Sequence, residues 1–398
     1  MIMTKDVVRK AIEAIHARKN TNENEIVFVA DHVKPRMVKM GYALKKCGLK
    51  IILLLEKKNR LEINKSDVQY YDNVLYFDGQ DDAYRKCLLY SPIVYHVFSE
   101  AYVNEWAAHL IRNKTQLGKI VYDQYDIYRG FVTNQLDAIG EREKYCLENA
   151  DGLCCRMFET QHLKHKFHYH FNGKRILFLD YCWNRYNLTS VSEGKCEKIK
   201  FVYGGRLLAR PTINVERYKI ELNGFCYIAR TIQKNNAYFV IIPSAPCKGS
   251  KYSAYRTMRK KYECLNIKEP MNYEELIRYE SQMNYGIDCV ELEEDIGAFC
   301  EQESSFNIRA KNKYYATNKY FDYLDAGIVP IYGRKGELFG NYLARMGGAV
   351  KCSLEEMPDK IEELKTNCEE NRKKACKARE VLSIDNQIHR LIAFYRGI

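Results

Sequence analysis

The residues of this 398-residue chain best suited to chemistry begin with the run Thr317-Asn318-Lys319 and the carboxylate of Asp322, inside TNKYFDYLDAGIVPIYG. Thr317 or Asn318 suits an N-cap, Phe321 and Leu324 share a face, and Gly327 suits the stop. A helix is therefore expected from about Lys319 to Ala326, with a strand, IVPIY, following it. A helix start offers unpaired N–H groups and a partial positive charge, and Lys319 adds a full one, a combination that suits a phosphate or diphosphate. Asp322, one turn in, can accept hydrogen bonds from ribose or sugar hydroxyls. Asp325, a turn further, is expected to be solvated. The same residues would equally build an ordinary capped helix, with Asp322 complementing the macrodipole and Lys319 on the surface.

Two other polar clusters invite attention. QHLKHKFHYH carries His162, His165, His168 and His170, three of which could share a helix side as zinc ligands. The interleaved Lys164 and Lys166, with no nearby carboxylate, favour a solvated basic segment and no metal. The tract SKYSAYRTMRKKYE mixes tyrosines and cations but matches no nucleic-acid motif, so it reads as an exposed helix face open to anionic lipid headgroups. The fifteen cysteines are odd in number and form no CxxC, which points to reduced thiols.

These residues need a scaffold, and the chain supplies an alternating one. EIVFVA, KIILLL, NVLYF, SPIVYHVF, GKIVYD, ADGLCCRM and KRILFLD are strand candidates separated by helical or loop segments. Such βαβ alternation implies a parallel sheet and an α/β, doubly wound lobe. The polar stretch NRYNLTSVSEGKCEK interrupts the pattern before IKFVYGG, AYFVIIPS, the helix-like NYEELIRYESQM and GIDCVEL resume it. The length suits two domains. The expected organisation is a first lobe over 1–185, a second lobe over 198–380, and a C-terminal helix over 381–398 that packs back on the first lobe. Ligands of doubly wound sheets lie at the carboxyl ends of the strands, so the chemistry is expected in a cleft between the lobes. No apolar run approaches the ~20 residues of a membrane span. The opening MIMTKDVVRKAIEAIHARKN reads as a charged amphipathic helix without the features of a signal peptide. A cytoplasmic protein is expected, and the formal charge of +12 suits nucleic acid, an anionic membrane face or an anionic small substrate.

YYATNKYFDYLDAGIVPI is similar to the second-lobe pattern of GT-B glycosyltransferases, which use nucleotide-sugar donors: an Asn-Lys pair, an aromatic, an acid, then Ala-Gly and Pro. The resemblance gives Thr317, Asn318 and Lys319 at the helix start to the donor diphosphate and Asp322 to the ribose. FVYGGRLL resembles the glycine-arginine signature that opens the donor lobe, which adds Gly205 and Arg206; a guanidinium can grip two phosphate oxygens at once. ADHVKPRM resembles the first loop of the same enzymes, where in inverting members the counterpart of His32 takes the acceptor proton. Imidazole suits that task, with an unperturbed pKa of about 6.5. Asp123 and Asp126 in VYDQYDIYRG are the candidates to orient it, with Asp126 preferred as the one further toward the strand-end loop. Two departures stand out. Tyr314 occupies the place of a glutamate that many retaining members carry, and Arg210 stands where a lysine is common.

The resemblance implies sugar transfer from a nucleoside diphosphate sugar to a hydroxyl of a glycan, lipid-linked or protein acceptor, in cell-envelope polysaccharide or protein glycosylation. It implies no metal, no cofactor and no nucleic acid, with peripheral contact at the inner membrane face. A noncatalytic nucleotide-sugar or glycan binder and a nucleotide-sugar epimerase would share the architecture.

Overall fold

The computed structural model describes residues 22–58, 68–99, 104–125, 127–128, 137–156, 158–185, 198–208, 215–288, 290–302, 307–314 and 317–398. The expected N-terminal helix, Asp126 and Arg210 lie outside the described residues. The chain divides into two compact units. The first comprises Met1–Arg129, Gln135–Leu179 and Gln387–Ile398, and the second Gly130–Asn134 and Asp180–Asn386.

The first unit is built on β1 (Asn22–Ala30), β2 (Lys50–Glu56), β3 (Asn73–Phe77), β4 (Pro92–Ser99), β5 (Ile120–Gln124), β6 (Gly152–Cys155) and β7 (Lys174–Leu177). IVFVA and IILLL are apolar without alternation because a parallel sheet is covered on both faces. Ile26 to Ala30 and Ile51 to Leu55 are accordingly buried, and they pair in register from Ile26↔Ile51 to Ala30↔Leu55. The order is β3-β2-β1-β4-β5-β6-β7, every pair parallel. The direction of winding reverses between β1 and β4, and a crevice opens at such a point outside the strands' carboxyl ends. The segment Asp31–Lys34 lies there, between β1 and the helix Pro35–Lys46, which starts on a proline and buries Met37, Met40, Ala43 and Leu44.

The end of the chain completes this unit. The Tyr395 hydroxyl bonds to His96 Nδ1 on β4. Phe394 and Ile398 press on Gly152, where a Cβ would come within 2.6 Å of Ile398 Cδ1 and 2.9 Å of Phe394 Cζ. A side chain at 152 would push the terminal helix Ile384–Gly397 off β6.

The second unit repeats the winding with β8 (Lys200–Gly205), β9 (Tyr238–Pro243), β10 (Leu265–Ile267), β11 (Tyr285–Ile287), β12 (Val329–Tyr332) and β13 (Val350–Lys351). The order β10-β9-β8-β11-β12-β13 is again all parallel and reverses between β8 and β11. The expected strand across GIDCVEL is confined to Tyr285–Ile287, and the two- and three-residue strands β13 and β10 were not foreseen. The described cysteines are free thiols. Among the described residues no helix is long and apolar enough to cross a membrane.

Candidate functional site

Both winding reversals carry polar residues. At the end of β8, Gly205 lies so close to Lys319 that a Cβ would fall 2.4 Å from Lys319 Cε. Lys319 opens the helix Lys319–Asp325, close to the expected bounds. The strand and the helix therefore meet at a glycine with an ammonium laid across it, and the exposed Arg206 follows directly. Glu221 fixes this loop, accepting from Leu208 N at 2.7 Å and from the Tyr255 hydroxyl at 2.6 Å. Gly205, Arg206 and Lys319 are thus brought together.

The helix start differs from expectation in its details. Asn318 has helical backbone angles and its side chain makes no cap. The Thr317 hydroxyl accepts from Lys319 N at 3.3 Å and donates to Asp288 Oδ1 at 3.2 Å. Asp288, one residue past β11, was not foreseen and organises the site. It is buried and takes Lys319 Nζ at 2.7 Å and Arg334 Nη1 at 2.6 Å. Arg334 Nε reaches Glu291 at 3.2 Å. Burial works against the Asp288 charge, but the two cations outweigh it and hold the carboxyl well below the usual range. Lys319 is pushed above the ordinary lysine range, since Asp288 outweighs its burial. The lysine expected to await a phosphate is already paired, so an anionic ligand must share it with Asp288. An acid immediately after an apolar strand was the available signal.

Asp322 accepts from the Tyr273 hydroxyl at 3.0 Å, and the same hydroxyl lies 3.1 Å from Asp325 Oδ2. The expectation that Asp325 is solvated is wrong. It is buried and accepts from Trp183 N at 2.9 Å and Asn184 N at 2.8 Å. Its carboxylate ties the segment entering the second unit to the helix, a nonlocal role that helix periodicity cannot reveal. Beneath the turn, Glu280 Oε1 would lie 2.4 Å from a Cβ on Gly204. Burial, with Asp322 nearby, raises the Glu280 carboxyl well above its usual range.

In the first unit His32 lies past β1 with Nδ1 2.7 Å from Asp31 Oδ2. Asp31 is buried, and although burial opposes its charge, the His32 hydrogen bond and the Lys34 ammonium keep its pKa below the usual range. An ionised Asp31 makes Nδ1 the protonated nitrogen and leaves the lone pair on Nε2, the tautomer a general base requires. The carboxylate orienting His32 is thus its chain neighbour, while Asp126 lies outside the described residues. Asp123 does not serve: it is buried against Arg36 Nε at 2.9 Å and His96 Nε2 at 3.3 Å.

His96, Asp123 and Cys154 hold potential ligand atoms within 4.8 Å of one another. Arg36 fills that place, its Nη2 3.2 Å from Cys154 Sγ. The cluster thus already holds a cation, the Arg36 guanidinium, on Asp123 and Cys154. Of the four histidines in QHLKHKFHYH, His162 is buried with its ring edge-on to Phe167, while His165, His168 and His170 are exposed. They do not converge.

No family model matches the chain and no curated protein does. Solved structures match along nearly its whole length. The apo structure of OtsA superposes with a TM-score of 0.58 at 10% identity, covering 94% of this chain and 99% of that one. The α,α-trehalose 6-phosphate synthase of Burkholderia multivorans does so at 0.52 and 10% identity, covering 94% and 97%. The UDP-GlcNAc 2-epimerase of Neisseria meningitidis, bound to UDP-GlcNAc, reaches 0.54 at 9% identity, covering 94% and 100%. Identity this low speaks for the fold alone, and with two sheets of the same winding it settles the architecture: the chain has the GT-B fold, made of two Rossmann-like α/β units.

Proposed function

We propose that the protein is an intracellular glycosyltransferase that moves a sugar, a hexosyl group, from a nucleoside diphosphate sugar to an acceptor hydroxyl. The observation that carries the reading is the meeting of Gly205, Arg206 and Lys319 at the β8/β11 reversal, with Asp322 a turn away. The donor diphosphate takes Arg206 and Lys319, with Thr317 and Asn318 at the helix start. Asp322, held by Tyr273, accepts from the ribose hydroxyls. His32 Nε2 takes the acceptor proton as the acceptor oxygen bonds to the sugar's anomeric carbon. The anomeric carbon–phosphate oxygen bond breaks, and the diphosphate leaves with the electron pair, its charge met by the two cations. The GT-B resemblance points to a glycan, lipid-linked or protein acceptor in envelope or protein glycosylation.

The test is thermal stabilisation of the protein by a panel of nucleoside diphosphates and their sugar conjugates, repeated with Arg206→Ala. One base should give a shift that the variant loses. No shift for any base, or an unchanged shift in the variant, overturns the donor site. Once the donor is known, Asp31→Asn should lower kcat by about 100-fold or more, leave the donor-induced shift intact, and alter the pH–rate profile. Unchanged turnover would remove His32 from the base role.

A second reading has one observation behind it, the likeness to the UDP-GlcNAc 2-epimerase. An epimerase would interconvert a free nucleotide sugar without any acceptor. Incubating the donor alone and resolving the product sugars separates the two.

A further inference from the structure

The helix Ser253–Lys261 of the second unit carries three cations in its last turn and no acid. Tyr255, Met258 and, just past its end, Tyr262 are buried and anchor it. At 100° per residue Arg256 and Lys260 form the outer crest, and Arg259 and Lys261 flank the buried strip. Lys248 and Lys251 precede them on the loop and the short 3-10 turn Ser250–Tyr252, and all six cations are exposed. Arg256 Nη1 donates to Gly249 O at 2.9 Å, which fixes the loop to the helix. From Ser244 to Tyr262 the chain contains no acid.

Several exposed cations on other helices are neutralised within their own helix. Arg278 pairs with Glu274, Lys373 with Glu369 and Lys374 with Glu370, each four residues apart. Among the described residues none of the six cations makes an ion pair, and the nearest acids in sequence, Glu263 and Glu269, reach none of them. A face of unneutralised like charges repels itself and attracts anions.

We propose that this face docks the protein on an anionic lipid surface. The chemistry of the face favours lipid over nucleic acid. Its aromatic rings, Tyr252, Tyr255 and Tyr262, are turned into the core, so no ring is offered for base stacking. Nor is an apolar residue offered for insertion, since Met258 is buried too. What remains is an array of exposed cations, which a headgroup layer can meet in any lateral arrangement. The association is therefore electrostatic and reversed by salt.

The test is sedimentation of the full-length protein with phosphatidylcholine vesicles, with and without phosphatidylglycerol. Binding is expected only to the anionic vesicles at low salt, and it should be abolished near about 1 M salt, where the screening length falls to about 3 Å. Each basic side chain at an anionic surface is worth about fivefold in partitioning. Arg259→Glu with Lys260→Glu should therefore lower it by about 25-fold or more, leaving the melting temperature and any nucleotide-induced shift unchanged. Those two readouts separate a misfolded variant, and a failed donor site, from a failed docking face. Absence of binding to anionic vesicles, binding that persists at high salt, equal binding by the double variant, or loss of vesicle binding to a small excess of homopolymeric RNA would each overturn the proposal.

Discussion

Asp288→Asn should move two measurements in opposite directions. The carboxylate holds Lys319 Nζ at 2.7 Å and Arg334 Nη1 at 2.6 Å. Removing one partner of a buried ion pair costs about 3–5 kcal/mol. Lys319 keeps 26% of its side chain in solvent and Arg334 12%, which places the loss near the lower end, about 3 kcal/mol. At about 2–4 °C per kcal/mol for a unit of this size, the ligand-free variant should melt about 6–12 °C lower. A diphosphate no longer competes with Asp288 for Lys319, and a charge-assisted contact is worth about 1.5 kcal/mol, roughly tenfold in affinity. At equal saturating ligand the nucleotide-induced shift should therefore be about 3–6 °C larger than in the parent. Scanning fluorimetry of both proteins, with and without the nucleoside diphosphate, reads both numbers. A shift no larger than the parent's, or an equal shift with the uncharged nucleoside, would refute the claim that Asp288 and the ligand share Lys319.

The fold was legible in the sequence wherever hydrophobic runs were long. IVFVA and IILLL announce doubly covered parallel strands, and the break between Asn184 and Lys198 lies beside the Leu179/Asp180 division between the units. β10 and β13 are too short to carry a pattern. In the candidate site, local spacing was legible: Lys319 opens the helix with Asp322 in its first turn, and Arg206 follows a glycine pair. It was illegible where a residue's environment comes from distant chain. Asp288 meets Arg334 across 46 positions, and Asp325 is buried by backbone amides 141 and 142 positions away. No spacing rule marks either as an anchor. Asp31 is inconspicuous for the opposite reason: the carboxylate orienting His32 is the preceding residue and not one across the sheet.

Three further substitutions test the physical account. Gly205→Ala should force Lys319 away from Asp288 and lower both the melting temperature and the donor-induced shift; an unchanged shift would mean that the close approach is incidental. Tyr395→Phe should leave His96 Nδ1 without the hydroxyl and cost about 1–2 kcal/mol in urea unfolding, and equal stability would show that the terminal helix is held by its apolar contacts alone. Glu280→Gln should stabilise the protein in a pH-dependent way. Burial and Asp322 raise the Glu280 carboxyl in the folded state, whereas the unfolded chain ionises it near its ordinary pKa of about 4.3. Between those values the unfolded state sheds a proton that the folded state retains, so this residue makes stability fall as pH rises. The glutamine variant carries no such proton, and its advantage should be absent near about pH 4 and grow as pH rises above it. A stability difference independent of pH would show that Glu280 is ionised in the folded protein. The floor of the proposed donor site would then hold a second negative charge beside Asp322, and a bound diphosphate would need Lys319 and Arg206 to overcome both.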